Sequence, residues 1–391
     1  SLLVLGEKSI SEGCYMKVDT FYKKEPHSSN TNRIFQEIYF QKETSKQEIS
    51  RRLSLSLPTV AQSLKELYGM GIIEKNGYFN STGGRKAQVI SVAHQSKIAV
   101  GVSLLRERIM MTAMDLCGNP FKEKTIMIPF ERSEEYYKAF GTAVNQFVDS
   151  LKCPDDKILG IGLAVQGLVS RDGQTIINGD ILGYTGTDRS VFQKNIRLNC
   201  TLFHDTEVAA FAELWQYPDI QNAVYVALNK NLGGALIMGR QVYIGDGLNS
   251  CVLEHMRLIP GGRRCYCGQR GCLECYCSIN SLEEDAGMDV DSFFEKLNAG
   301  DPHCAKVFDN FLDHLALAIN NIRMVVDCEF ILAGFLQPYL TEAHLQMLAE
   351  KVKRAGPFQD AAFSFRRGVH GPDAAARGAA LVLISDYICG L

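Results

Sequence analysis

A chain of 391 residues with 46% hydrophobic residues can form two or three domains with separate cores, because domains typically contain about 100 to 200 residues. No stretch approaches the roughly 18 to 20 unbroken apolar residues of a membrane helix, and the first residues lack the order of a secretion signal. The composition argues against a membrane protein and predicts a cytoplasmic one.

The net charge of −3 is unevenly distributed along the chain. Residues 1–90 contain 13 Lys and Arg against 9 Asp and Glu, whereas the remainder contains 28 against 35. Only the N-terminal segment has the sign expected of a surface that contacts phosphates. Thirteen cysteines, five of them between Cys265 and Cys277, favour metal binding or reduced thiols over a disulfide framework.

The first predicted helices follow a segment without a pattern. Residues 1–26 show no sustained hydrophobic period, and we assign them as an N-terminal arm of unknown structure. After this arm, Ile34 and Ile38 repeat at helical spacing. Ser45 and Glu48 then have the spacing of a capping box and begin a second short helix.

A third helix completes a helix-turn-helix. Ser56 can cap it, and Pro58 lies in its first turn, where a missing N–H is harmless. Its buried stripe consists of Val60, Leu64 and Leu67. The second helix of such a motif enters the major groove, so its outward N-terminal side chains are the expected base readers. These are Thr59, Ala61, Gln62 and Ser63.

The segment after the third helix predicts a two-stranded wing. We expect a turn at Asn76-Gly77, followed by the basic loop 83–86 and a strand over residues 87–92. Long cations that follow the DNA backbone supply affinity without sequence information. The expected phosphate or minor-groove contacts are Lys65, Arg51, Arg52, Arg85 and Lys86. The alternative is that these are ordinary solvated charges on a small helical domain.

Four segments of the chain share motifs with one known family. They are TGGRK at 82–86, GIGLAVQGLV at 160–169, HDT at 204–206, and CYCGQRGCLE at 265–274 preceded by His255. Together they resemble the ROK family of bacterial repressors and sugar kinases, whose signature C-x-C-G-x-x-G-C-x-E is close to the last of them. The resemblance extends from Asn30 almost to the end of the chain.

The resemblance implies an α/β fold, with an actin-like, ribonuclease-H-like body of two lobes and a ligand between them. We therefore expect a winged helix over residues 27–92, a first lobe from 93–205 plus about 378–391, and a second lobe with a metal site over 206–377. The sequence pattern agrees, since it predicts a β-hairpin at 97–115, a buried strand at 158–169 and a long helix at 302–325.

The resemblance also bears on kinase activity. Family kinases hold ATP phosphates on glycine-rich turns, because only glycine lets the backbone N–H groups approach closely. Where the family has D-x-G-G-T-K this chain has SLLRER at 103–108, and where it has G-T-G-x-G-x-G the chain has NKNLGGA at 229–235. We expect no enzyme activity and no ATP, unless Arg106, Arg108 and Lys230 bind an anion instead.

The cysteine cluster predicts a structural zinc site. Such a site needs four Cys or His ligands, and Gly268 and Gly271 permit the tight path between the cysteines. The predicted ligands, which the resemblance also implies, are His255, Cys265, Cys267 and Cys272. Cys275 and Cys277 leave an all-cysteine site open, and plain reduced thiols are the remaining alternative.

A sugar site is implied only by the resemblance. In family kinases the residue at Asp205 is the general base, and without ATP it can only bind the sugar. The implied sugar ligands are Asp205, His255 and Glu274, with His204 and Asp180 standing for family asparagines. The family's G-E-x-G-H corresponds to residues 251–255, so Val252 replaces the glutamate unless Glu254 substitutes for it. Otherwise Asp205 is a helix cap and Glu274 a surface charge.

The winged-helix pattern predicts a DNA-binding protein, and the family resemblance implies a sugar-responsive regulator of carbohydrate metabolism, a repressor. A homodimer, or a tetramer, would bind operator DNA at an inverted repeat, because a two-fold protein presents two recognition helices. Two alternatives stay open. One is a sugar kinase with a divergent ATP site, and the other is a regulator controlled by a partner protein, which would explain Val252.

Overall fold

The computed structural model describes residues 29–80, 86–357 and 365–391. These residues form two compact units, one containing residues 29–96 and 387–391 and the other containing residues 97–386. The expected N-terminal arm and the expected DNA contact Arg85 lie outside the described residues.

The first unit contains three helices and a small antiparallel sheet with the strand order β1-β3-β2. Its elements are α1 (Asn30–Gln41), β1 (Glu43–Thr44), α2 (Lys46–Leu53), α3 (Leu57–Gly69), β2 (Ile73–Tyr78) and β3 (Gln88–Val92). The hydroxyls of Ser45 and Ser56 each accept a backbone N–H from the third residue on, at 3.3 Å, and so begin α2 and α3. This arrangement confirms the winged helix-turn-helix.

The wing differs from the prediction at Asn76-Gly77. Both residues lie inside β2 rather than at a chain reversal, and the pairing of β2 with β3 shifts register between Lys75 and Tyr78. Gly77 has a φ of 80°, so its positive φ serves a bulge in the strand. The predicted turn at this position is therefore wrong, and the strands connect through residues 79–87.

The first lobe of the second unit is a five-stranded sheet with the order β10-β7-β4-β5-β6. Its elements are β4 (Ile98–Leu104), β5 (Ile109–Asp115), β6 (Pro120–Ile126), α4 (Glu134–Asp149), β7 (Ile158–Val165), β8 (Leu168–Val169), β9 (Ile176–Asn178), α5 (Ser190–Gln193) and β10 (Cys200–His204). The predicted hairpin is confirmed, because β4 and β5 pair antiparallel over their whole length. The strand predicted at 158–169 divides into β7 and β8.

The second lobe contains the other five-stranded sheet, with the order β13-β12-β11-β14-β15, and most of the helices. Its elements are α6 (Asp205–Gln216), β11 (Ala223–Ala227), β12 (Gly233–Met238), β13 (Gln241–Tyr243), α7 (Glu274–Cys277), α8 (Ile279–Ala286), α9 (Val290–Asn298), α10 (Pro302–Arg323), β14 (Glu329–Ala333), α11 (Glu342–Ala355) and β15 (Phe365–Arg367). The last helix, α12 (Ala374–Cys389), packs on the first-lobe sheet, because a Cβ at Gly101 of β4 or at Gly162 of β7 would lie 1.7 or 2.5 Å from a carbonyl oxygen of this helix. The long helix predicted at 302–325 is α10, which buries Phe308, Phe311 and Leu315.

The prediction that the end of the chain joins the first lobe agrees with the packing of α12 on β4 and β7. It does not extend to the last five residues. Residues 387–391 belong to the first unit, where the Asn32 side-chain amide donates to the carbonyl of Ile388 at 2.6 Å. No helix in the described part of the chain is long and apolar enough to cross a membrane.

Candidate ligand cleft and metal centre

Two parallel strands bring the central residues of the cleft together. β7 and β10 pair in register, with His204 opposite Val165, so both strands end at the same edge of the sheet. The chain continues from β7 into Gln166 and Gly167, and from β10 directly into α6, which begins at Asp205. Ligands of open α/β sheets typically bind at such carboxyl ends of strands.

A narrow cavity of about 60 Å³ lies at this edge and includes residues of both lobes. It opens into a wider cavity of about 760 Å³, with which it shares Asp180, Ile181, Asn231 and Tyr266. The polar residues that line the narrow cavity are Gln166, Asn178, Asp180, His204, Asp205, Thr206, Asn229, Asn231, Glu254, His255 and Tyr266. The structure thus brings together four of the five predicted sugar ligands.

His204 and Asp205 form the charged centre of the cavity. His204 Nε2 lies 3.6 Å from Asp205 Oδ1, and His204 Nδ1 lies 3.5 Å from Glu207 Oε1. Burial works to lower the pKa of His204, but Glu207, Asp205 and Glu254 outweigh it and raise that pKa to about 9. His204 therefore carries a positive charge at neutral pH.

Asp205 is not the cap of α6. The N-cap residue is His204, and Asp205 Oδ1 accepts the backbone N–H of Thr206 at 2.8 Å. Burial raises the pKa of Asp205, although His204 and Thr206 oppose this effect. The partners of this carboxylate are the adjacent residues Thr206 and His204. Because Asp205 also lines the narrow cavity, its carboxylate can accept a hydrogen bond from a ligand hydroxyl there.

The segment of residues 251–255 places an additional carboxylate in the cleft. Both Val252 and Glu254 line the narrow cavity, so Glu254 supplies the acidic group that is missing at Val252. Burial raises the pKa of Glu254 to about 7. The sequence predicted Glu254 only as a possible substitute for the glutamate that is missing at Val252. The backbone path of the segment, which the sequence does not specify, decides which side chain faces the ligand.

Glu274 lies beside the narrow cavity rather than in it. Its oxygens accept the side-chain amide of Asn231 at 2.8 Å and the backbone N–H of Leu232 at 2.7 Å, and it lines the wider cavity. Glu274 is 5% exposed, so it is not the surface charge of the alternative interpretation. Its role as a sugar ligand stays a prediction, and its observed contacts position the loop before β12.

The region of the former phosphate turns is filled by side chains. The Arg108 guanidinium lies 5.1 Å from the centre of the Phe335 ring, and the Phe335 backbone N–H donates to Asn229 Oδ1 at 2.8 Å. The remaining cavity is about 30 Å³. Arg106 donates to the carbonyl of Ile181, and Lys230 pairs with Glu283. All three cations that were considered for anion binding therefore have partners within the chain.

The four predicted metal ligands converge. Their donor atoms lie within 4.8 Å of one another, with Cys265 Sγ 3.7 Å from His255 Nδ1 and Cys267 Sγ 3.8 Å from Cys272 Sγ. A tetrahedral zinc site with bonds of about 2.3 Å has edges of about 3.8 Å, which matches these distances.

The chain path at the metal centre depends on a glycine. A Cβ at Gly271 would lie 1.7 Å from the carbonyl oxygen of Ile259, and its φ is 81°. The alternative ligands Cys275 and Cys277 are outside the converging group, and Cys277 is completely buried. The structure therefore favours the set with one histidine over the all-cysteine set.

The predicted base readers on α3 differ in exposure. Gln62 and Lys65 are exposed, Thr59 is half-buried, and Gln62 donates to Glu66 at 3.1 Å. Ser63 is 5% exposed and accepts the hydroxyl of Thr31 at 3.2 Å. Ser63 therefore faces α1 rather than solvent, which argues against the predicted contact of this residue with DNA.

The predicted phosphate contacts on α2 are engaged in ion pairs. Arg51 and Arg52 lie 2.6 and 2.8 Å from Glu48, and Arg52 also lies 3.5 Å from Glu37. Exposed pairs of this kind contribute roughly 0 to 1 kcal/mol, so both arginines can exchange partners. Lys86 is exposed beside the part of the wing that is not described.

Fold and site together define a two-lobed, actin-like protein that carries a winged helix-turn-helix on the same chain. A model of the ROK family matches residues 99–386, and the chain belongs to this family. The DNA-binding transcriptional dual regulator NagC of Escherichia coli is 26% identical over 247 residues. That match covers 61% of this chain and 60% of the regulator's length.

Two solved structures show the same fold. A ROK family transcriptional regulator, described as a homolog of the E. coli MLC protein, has a TM-score of 0.75 at 18% identity. The alignment covers 92% of this chain and 96% of that one. A ROK family glucokinase from Streptomyces griseus, in complex with glucose and AMPPNP, has a TM-score of 0.65 at 19% identity and covers 72% of this chain and 98% of its own.

Proposed function

We propose that this protein is a DNA-binding transcription regulator, a repressor of carbohydrate genes, whose operator affinity responds to a sugar. The observation that carries the proposal is one chain with a winged helix and a sugar-kinase body whose phosphate turns are filled. A kinase has no use for the winged helix, whereas a regulator tolerates the loss of the phosphate turns. The similarity to NagC supports the same function.

The filled turns also support a body without kinase activity. ATP phosphates need backbone N–H groups at close approach, and the turn at 103–108 instead offers bulky side chains and Glu107. Arg108 stacked on Phe335 occupies the neighbouring space. Without ATP there is no phosphoryl donor in the cleft. The Asp205 carboxylate then accepts a hydrogen bond from a sugar hydroxyl, but no phosphoryl transfer follows.

Zinc is the ion that the converging ligands fit best. Three thiolates and one imidazole in a tetrahedral arrangement are typical of structural zinc, and four protein ligands leave no position for a catalytic water. The ion would hold the loop of residues 255–272 beside the cleft. His255 would then contribute to both sites, because it also lines the narrow cavity.

The DNA-binding form in this proposal is a homodimer on an inverted repeat, with α3 of each protomer in the major groove. Operator selection from random DNA, followed by binding measurements with full-length protein, tests it. Gln62→Ala should reduce the binding free energy difference between the preferred base and the other bases by about 1 to 3 kcal/mol, because side-chain amides recognise base edges. Lys86→Ala should weaken binding to all sequences alike.

A matched control for these variants is Lys138→Ala, which removes an exposed lysine from α4 in the body. This control should bind the operator like the wild type. The DNA assignment would be contradicted if Gln62→Ala and Lys86→Ala bound with unchanged affinity and preference, or if Lys138→Ala weakened binding as much as Lys86→Ala.

A further inference from the structure

The narrow cavity has a strong excess of negative charge. Three carboxylates line it, those of Asp180, Asp205 and Glu254, and no lysine or arginine is present among the described residues of its wall. Among the described residues of the wall one group is cationic, His204, which lies near Asp205 and Glu207 and also interacts with Glu254. The three carboxylates therefore outnumber the positive charge on the wall.

Glu254 is the unusual member of this group. It stands where the related G-E-x-G-H pattern has its second glycine, so its carboxylate is an addition to that pattern. Its own backbone N–H donates to this carboxylate, and in the described part of the structure no other residue does. Glu274 nearby, by contrast, accepts from Asn231 and Leu232. A largely buried carboxylate whose only donor is its own backbone is costly and favours a ligand that supplies further donors.

Different sugars would meet this cavity with different free energies. A hydroxyl can donate one hydrogen bond to Glu254 but leaves its charge uncompensated. An ammonium group supplies three N–H donors together with a positive charge, and such charge-assisted bonds are the stronger ones. A phosphate group in the narrow cavity would be repelled by the three carboxylates, because the arginines Arg106, Arg263 and Arg264 line only the wider cavity. Acetylation of an amino sugar would remove the favourable charge.

The shape of the cleft is compatible with such a ligand. The narrow cavity shares Tyr266 and Asn231 with the wider cavity, so a ligand can extend from one into the other. A short cationic substituent can enter the narrow end while the ring lies toward these two residues. Tyr266 offers an aromatic face, and Asn231 an amide, to the ring and its hydroxyls.

We infer that the effector is an amino sugar with a free, protonated amino group, bound with its ammonium against Glu254 and Asp205. This inference rests on the proposed function, because it specifies the ligand of the same regulatory cleft. It distinguishes the chain from proteins that recognise a neutral or a phosphorylated sugar, and it assigns Glu254 as the residue that determines this specificity.

Calorimetric titration of the full-length protein at about pH 7 tests the inference with matched sets of sugars. Each set contains an amino sugar, its neutral parent and its N-acetyl derivative in the gluco, galacto or manno configuration, with glucose 6-phosphate, which lacks the amino group, as the anionic member. One amino sugar should bind about 10- to 100-fold more tightly than its parent and its N-acetyl derivative, as expected for bonds to a charged group. Added salt should reduce this preference.

Two isosteric variants locate the charge. Glu254→Gln should remove most of the preference for the amino sugar, whereas Glu284→Gln, which makes the same change at an exposed residue of the wider cavity, should keep it. If Glu254→Gln does not fold, as judged by circular dichroism, Asp180→Asn at the exposed mouth replaces it and should weaken the preference. A preference unchanged in the folded variants would overturn the assignment of these carboxylates.

The order in which the wild type binds these sugars tests the amino-sugar inference separately from the proposed sugar response. If a neutral, acetylated or phosphorylated sugar binds as tightly as the amino sugar, the inference is wrong while a sugar-responsive regulator remains. If no sugar of any set binds, both the inference and the sugar response fail.

Discussion

The charge on His204 makes a prediction about stability that can be worked out from its surroundings. Its pKa is about 9 in the folded protein, against an ordinary value of 6.5, because Glu207, Asp205 and Glu254 favour the imidazolium. A group whose pKa is raised by folding stabilises the protein fully below pH 6.5, and this contribution is lost as the pH rises through about 9. The difference between the two pKa values corresponds to about 3 kcal/mol.

Urea unfolding of the wild type and of His204→Gln between about pH 6.5 and pH 9.5 measures this contribution. The free energy of unfolding of the wild type should fall by about 3 kcal/mol more than that of the variant over this range, with the loss spread between pH 6.5 and about 9 and nearly complete at the upper value. Comparison with the variant removes the effect of other titrating groups, including the cysteines. Parallel pH profiles for the two proteins would refute the reasoning.

Two further predictions concern the metal and the lost chemistry. Purified protein should contain one zinc per chain by elemental analysis, and Cys272→Ser should lose the metal and much of the soluble protein, whereas Cys275→Ser should keep both. Fully folded wild type without metal would contradict this. No sugar-dependent release of ADP from ATP should exceed background. A release that Asp205→Asn abolishes would show that the filled turns still admit ATP.

Local signals in the sequence predict much of the fold. Ser45 and Ser56 cap the helices at which they were expected, because a cap depends on side chains within three residues. The metal ligands were predictable for a related reason, since three of the four lie within eight residues and the glycines between them restrict the path. The fourth, His255, is a histidine ten residues before the first of these cysteines, and the family resemblance implies the same residue.

Features that depend on packing could not be predicted in this way. Asn76-Gly77 is a frequent turn sequence, and only its partner strand makes it a bulge. Ser63 occupies the N-terminal half of a recognition helix, but its contact with Thr31 of α1 buries it. Glu254 entered the cleft through the backbone path of its segment, which a sequence pattern does not specify.

The central claim is that the cleft and the DNA-binding unit are thermodynamically coupled. Operator affinity of the full-length protein, measured without and with a saturating cleft ligand, tests this most directly. The account predicts a change of roughly 5- to 150-fold, which Asp205→Ala should abolish while leaving the affinity of the unliganded protein nearly unchanged. A sugar that binds the cleft tightly and leaves operator affinity unaltered would contradict it.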